Sequence, residues 1–78
     1  MTLTTSRGRT LEADYALMTR AGLRLRLRDP RPLSEIAADL DLLDALTGDE
    51  AFDGPFRLTS LHRDDPAGRV SASLERGA

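Results

Sequence analysis

The sequence predicts a small α+β domain, in which an antiparallel sheet with the order β-β-β-α-β-β carries one amphipathic helix across one face. Three observations lead there. Gly22-Leu-Arg-Leu-Arg-Leu-Arg-Asp29 alternates without a break, Leu33 to Thr47 repeats its apolar residues at helical spacing, and turn-forming residues separate these stretches from further alternating ones. A chain of 78 residues makes a single domain, 1–78, with one modest core, so any function sits on the surface of that one unit.

Met1 to Thr5 alternates weakly and Ser6-Arg7-Gly8-Arg9 reads as a turn, which makes a short first strand. Thr10 to Thr19 then sets Leu11, Ala13, Tyr15, Leu17 and Thr19 on one face against Glu12, Asp14, Ala16 and Met18 on the other. A three-residue loop, Arg20-Ala21-Gly22, joins it to the Leu/Arg strand and places Thr19 opposite Leu23, Leu17 opposite Leu25 and Tyr15 opposite Leu27. Leu23, Leu25 and Leu27 face the core. Arg24, Arg26 and Arg28 face outward, with Asp14 opposite Arg28 as a cross-strand ion pair. Residues 11–21 are also good helix formers, with Thr10 as a cap and Gly22 as a stop, so α-β-α-β-β is the competing order.

Pro30 and Pro32 block helix before Leu33, and Ser34 is placed to cap the first turn. From there Leu33, Ile36, Ala37, Leu40, Leu43 and Thr47 line one side of a helix that Gly48 ends. Gly48 to Pro55 reads as an acidic loop. Phe56 to Glu75 reads as a hairpin around Asp64-Asp-Pro-Ala-Gly68, with Arg63 opposite Arg69, His62 opposite Val70, Ser60 opposite Ala72 and Leu58 opposite Leu74. That pairing leaves Leu61 exposed on the outer face.

The net charge of −2 conceals a segregation. Leu33 to Phe56 holds seven acids and no base, whereas the remainder holds all eleven basic residues, every one of them Arg, against six acids. The absence of Lys beside plentiful Ala, Leu, Asp and Gly is the usage of GC-rich coding DNA. With no Cys and a single His, the chain lacks disulfide staples and the ligands of a thiolate or His-rich metal site, so no metal and no cofactor is expected. No apolar run reaches the roughly 18 residues of a membrane span, and Met1 to Arg9 lacks a secretory signal's apolar stretch, which predicts a cytoplasmic protein.

Chemistry has few footholds. His62 is followed by Asp64 and Asp65 in a turn, an arrangement more typical of an exposed hairpin end than of a catalytic pair, and no phosphate-cradling or dinucleotide motif is present. The acids lack the ligand spacing of a calcium loop. An enzyme is therefore not expected. The basic stripe Arg24, Arg26, Arg28, continued by Arg31, can track phosphates, but acids on the neighbouring strand and only three aromatics weigh against direct nucleic-acid binding. The stripe is expected to be a structural device that deters edge pairing, with Asp14 neutralising part of it. The stronger candidate is a protein partner, contacted through Glu35, Asp39, Asp41, Leu42, Asp44, Leu46, Asp49, Glu50 and Asp53, because Leu42 and Leu46 lie off the helix's core-facing line. A homo-oligomer would use the same apolar surplus.

Three stretches, Leu23-Arg-Leu-Arg-Leu-Arg-Asp29, Arg31-Pro-Leu-Ser-Glu-Ile-Ala-Ala-Asp-Leu40 and Phe52-Asp-Gly-Pro-Phe-Arg-Leu-Thr-Ser-Leu61, resemble the small uncharacterised open reading frames of bacterial phages and prophages, some near tail genes. The resemblance is one of pattern and carries over no site residue. It implies a phage or mobile-element context, hence a structural accessory of a phage-like particle or a host-directed inhibitor of the anti-CRISPR type.

Overall fold

The computed structural model describes residues 1–77, and the strands it contains close on themselves. In chain order they are β1 (Thr2–Thr5), β2 (Thr10–Thr19), β3 (Gly22–Arg28), helix α1 (Leu33–Leu40), β4 (Leu43–Thr47), β5 (Ala51–Arg63) and β6 (Arg69–Arg76). They form a closed antiparallel barrel in the order β1-β2-β3-β6-β5-β4, sealed where β4 meets β1. The open α+β sheet of the sequence reading is thus replaced by a barrel with six strands and one short helix.

The correction comes from Leu43 to Thr47. This stretch is strand β4, not the second half of a helix. Leu40, Leu43 and Leu46 are all fully buried, and their three-residue spacing imitates a helix because the β4–β5 register shifts between Leu43 and Ala45, where Gly54 and Pro55 of β5 together stand against Asp44. The bulge turns two inward residues three positions apart. Gly48 consequently ends no helix. The helix stops at Leu40, and the chain turns into β4 through Leu42, which holds a positive φ of 55°. Ser34 makes no cap either; Pro32 occupies that position, and its carbonyl accepts from the Glu35 and Ile36 amides. The acidic loop expected over Gly48 to Pro55 is mostly the β4–β5 hairpin, with Leu46 opposite Phe52.

Two further bulges reset the other hairpins. The alternative helix over residues 11–21 is not formed: Thr10–Thr19 is strand, and the β2–β3 loop is the two residues Arg20 and Ala21, with Thr19 opposite Gly22 and Met18 opposite Leu23. The register therefore slips by one from the expected pairing, and a one-residue slip exchanges faces. Ala16 and Met18 pack on the core while Tyr15 and Leu17 point outward; a bulge at Asp14 then restores Ala13 and Leu11 to the interior. Gly22, the first residue after this tight turn, holds φ 128°, and an added Cβ there would collide with the Leu74 carbonyl oxygen of β6. Along β5 a bulge at Thr59 keeps Leu58 opposite Leu74 as expected but sets Leu61 opposite Ala72 and His62 opposite Ser71. Leu61 accordingly packs on the core, and His62 faces out.

Both β2 and β5 are shared between two halves of the barrel. Residues 13–19 of β2 pair with β3, and residues 56–63 of β5 pair with β6, which makes a first sheet, β2-β3-β6-β5. Residues 10–12 of β2 pair with β1, β1 pairs with β4, and residues 51–56 of β5 pair with β4, which makes a second sheet. Fifteen apolar side chains, mostly Leu, fill the space between them. Helix α1 packs against β5 and inserts Ile36 and Leu40, both at 0% exposure, which contributes about 1.5 to 3 kcal/mol for each side chain.

Candidate functional site

Arg residues fasten the helix to the barrel. Arg7, in the β1–β2 turn, donates from Nη2 to the carbonyls of Ala38, Asp39 and Asp41 at 2.9, 3.0 and 2.9 Å, and so caps a helix end that has no basic residue of its own. Arg9 reaches Asp39 at 3.2 Å, and Arg31 bridges Asp29 and Asp39 at 2.8 Å each. Arg63 donates to the Asp29 carbonyl at 2.9 Å and to that of Arg31. Hydrogen bonds from Arg31 hold the Asp29 carboxyl below its usual range against an opposing effect of burial. At Asp39 burial pushes the pKa upward, but Arg31 and Arg9 together outweigh it and leave it lowered. The same contacts, Asp29 first and Asp39 second, raise Arg31.

This network removes several residues from the predicted binding set. Asp39 is committed to Arg9 and Arg31. The Asp41 carboxylate accepts from the Leu42 and Leu58 amides, both at 3.1 Å, and so holds β4 and β5 in place. Leu46 is in the core. Arg31, the expected continuation of the basic stripe, belongs to the network rather than to that surface.

What remains divides cleanly. Among the described residues, the carboxylates of Glu35, Asp44, Asp49, Glu50 and Asp53 face no cation within 4 Å, whereas each other acid meets an Arg, the amino terminus or backbone N–H groups. Four of the five lie on the β4–β5 hairpin, Asp44 and Asp53 on its strands and Asp49 and Glu50 in its turn, and all four are exposed. Around them the outer face of the second sheet presents a row of threonines, Thr10, Thr4 and Thr47, in cross-strand register. Leu42, the most exposed large apolar residue at 72%, stands at the border of this face beside a cleft of about 560 Å³ that Asp44, Pro55 and Phe56 also line.

The outer face of the first sheet has the opposite character. Arg24, Arg26 and Arg28 point outward as the alternation predicted, and Arg28 meets Asp14 at 2.6 Å. Arg26 lies 3.7 Å from Asp64, and among the described residues Arg24 has no carboxylate partner within 4 Å. Cross-strand rows run Leu17-Arg24-Ser73-Ser60 and Tyr15-Arg26-Ser71-His62. The apolar members of those rows were not foreseen on this face. Only the length of the β2–β3 loop distinguishes the two assignments.

His62 Nε2 stands 3.6 Å from Asp64 Oδ1 with its side chain 73% exposed, and Asp64 also accepts from Ser71 Oγ. The Asp65 carboxyl, lowered chiefly by the Arg69 amide it accepts from, closes the β5–β6 turn. Among the described residues no group of three or more His, Cys, Asp or Glu side chains is arranged to hold a metal ion, and no helix is long and apolar enough to cross a membrane. No protein-family model, curated protein or solved structure matches the chain.

Proposed function

We propose that the chain is a non-enzymatic protein-interaction module that docks on a basic protein surface through the acidic outer face of its β4–β5 hairpin. One observation carries this reading: Asp44, Asp49, Glu50 and Asp53 are exposed on one hairpin with no countercharge within 4 Å among the described residues, in a chain that pairs most of its other acids. Unpaired like charges repel one another, so their grouping weakens the fold slightly and is relieved when a cationic partner covers them. Leu42 at the border supplies the apolar contact that such a polar surface otherwise lacks. The acids and Leu42 lie where β4 pairs with both β1 and β5, so side chains do the recognising there. A groove that ordinarily receives phosphates is one such basic surface, which accords with an inhibitor of a nucleic-acid-handling host defence system encoded by a phage or mobile element.

The test is an affinity capture from host lysate with the wild-type chain and with an Asp44→Asn, Asp49→Asn, Glu50→Gln, Asp53→Asn variant whose fold is verified by circular dichroism. A partner held by the wild type, released by salt and lost with the variant is the expected outcome. A partner retained by the variant with undiminished affinity refutes the assignment. Asp39 and Asp41 are unsuitable for this purpose, because substituting either one breaks contacts internal to the fold.

A further inference from the structure

The exposed side chains of the first sheet form a surface complementary to the acidic face. Tyr15 and Leu17 are 43% and 55% exposed, side by side on β2, and their cross-strand neighbours are Arg26 and Arg24. The rows continue into Ser71, Ser73 and Ser60, short side chains that leave the tyrosine and leucine standing proud. An exposed tyrosine and leucine flanked on one side by arginines is the composition of a protein-docking surface, since Tyr and Arg carry much of the energy at such contacts. One aromatic residue makes no stacking platform for bases.

We propose that this face receives the acidic face of a second copy of the chain, so that copies associate head to tail. The proposal rests on the reading of the β4–β5 hairpin as a docking surface and names an occupant for it. Charge complementarity selects the arrangement. A two-fold pairing of either face with itself would set Asp against Asp or Arg against Arg, whereas acidic against basic brings Asp49, Glu50 and Asp53 toward Arg20 and Arg24, which meet no carboxylate within 4 Å among the described residues. The dimensions set the strength of the contact: the barrel measures 34 × 21 × 20 Å, so even a whole long side stays below the roughly 800 Å² that each partner contributes to a standard interface, and the association is weak and concentration-dependent. The two faces belong to different sheets of one barrel, so occupying one leaves the other free, and the association is open-ended or closes into a ring.

Size-exclusion chromatography with light scattering tests this on three proteins: the wild type, a Leu17→Ser, Arg24→Ser variant with its acidic face intact, and the neutralised β4–β5 variant with its basic face intact. At low salt the wild type is expected to gain mass with concentration and to return to monomer at high salt. Each variant alone should stay monomeric, with association weakened at least tenfold. Mixed, they should form a one-to-one heterodimer and go no further, because each supplies the face that the other lacks. A wild type that is monomeric at every concentration in low salt overturns the second copy as occupant while leaving the capture experiment on the acidic face to stand or fall separately. Assembly by either variant alone overturns the head-to-tail geometry. Tight binding of a fluorescent oligothymidylate that is lost on Arg24→Ser overturns the proposal in favour of nucleic acid on this face.

Discussion

Leu42 offers the sharpest test of how the backbone was shaped around this surface. Its φ of 55° puts a branched side chain in the left-handed region, where an L-residue loses about 1 to 2 kcal/mol relative to its ordinary conformations. Its side chain is 72% exposed, so the burial it contributes is roughly 0.5 kcal/mol, a quarter of what a fully buried leucine provides. Replacing Leu42 by Ala removes that contact and keeps the strain, whereas Gly removes both and loses some ground to the freer unfolded chain. The Gly variant should therefore exceed the Ala variant in stability by about 1 kcal/mol, and its Tm should be higher by roughly 4 to 8 °C for a domain of this size. Urea and thermal unfolding followed by circular dichroism measure both. A Gly variant no more stable than the Ala variant would refute the claim of strain. A strained leucine that buries little is poorly explained by folding and well explained by contact with a partner. Both variants should accordingly bind the partner less tightly than the wild type.

Gly22→Ala should destabilise the barrel by roughly 3 kcal/mol, because the new Cβ meets the Leu74 carbonyl oxygen and the residue must also keep a positive φ; urea denaturation measures it, and a near-neutral result contradicts the two-residue turn. Arg7→Ala should lose about 1 kcal/mol and speed amide exchange in the last turn of α1, since three carbonyls lose their common donor. The lowered Asp29 and Asp39 carboxyls fix the sign of the acid response. Their unfolded counterparts take up protons first, near pH 4, so their contribution is complete above that pH and is lost as pH falls through the folded values. Asp29→Asn should therefore cost about 1 to 2 kcal/mol at pH 7 and give a shallower loss of stability below pH 4, read from unfolding curves at a series of pH values.

Strand β3 was legible because its alternation is unbroken from Gly22 to Arg28 and it pairs on both sides without irregularity until its ends. The ion pair between Asp14 and Arg28 forms as expected but not by the expected register, which slips by one; Asp14 reaches Arg28 from the bulge in β2. Elsewhere bulges at Asp14, at Thr59 and at Gly54-Pro55 opposite Asp44 shift the parity of inward-facing residues partway along a strand, and a pattern read residue by residue carries no mark of such a shift. At Asp44 the shift produced helical spacing outright. The segregation of acids between Leu33 and Phe56 was also legible, yet which of them remain free was not. Asp39 is taken by Arg9 and Arg31, and Arg9 comes from a turn thirty residues away. Tyr15 and Leu17 reached the outer face because the loop has two residues rather than three, a difference that composition does not encode.

The seam that closes the barrel is its shortest pairing. Only Thr4 with Thr47 and Thr5 with Leu46 are in register between β1 and β4, extended by the Ser6 amide to the Ala45 carbonyl and by the Asp44 amide to Ser6 Oγ. A ladder this brief comes apart at less cost than the six-pair ladder between β3 and β6. When it does, two edges appear at once, and behind them lies a leucine-rich interior with nothing to cover it. Aggregation is then governed by the lifetime of the closed state at one short joint rather than by the overall stability of the fold. Substitutions at Thr4, Ser6 or Thr47 would reveal themselves first as poor solubility on heating, in proteins that still fold and still bind.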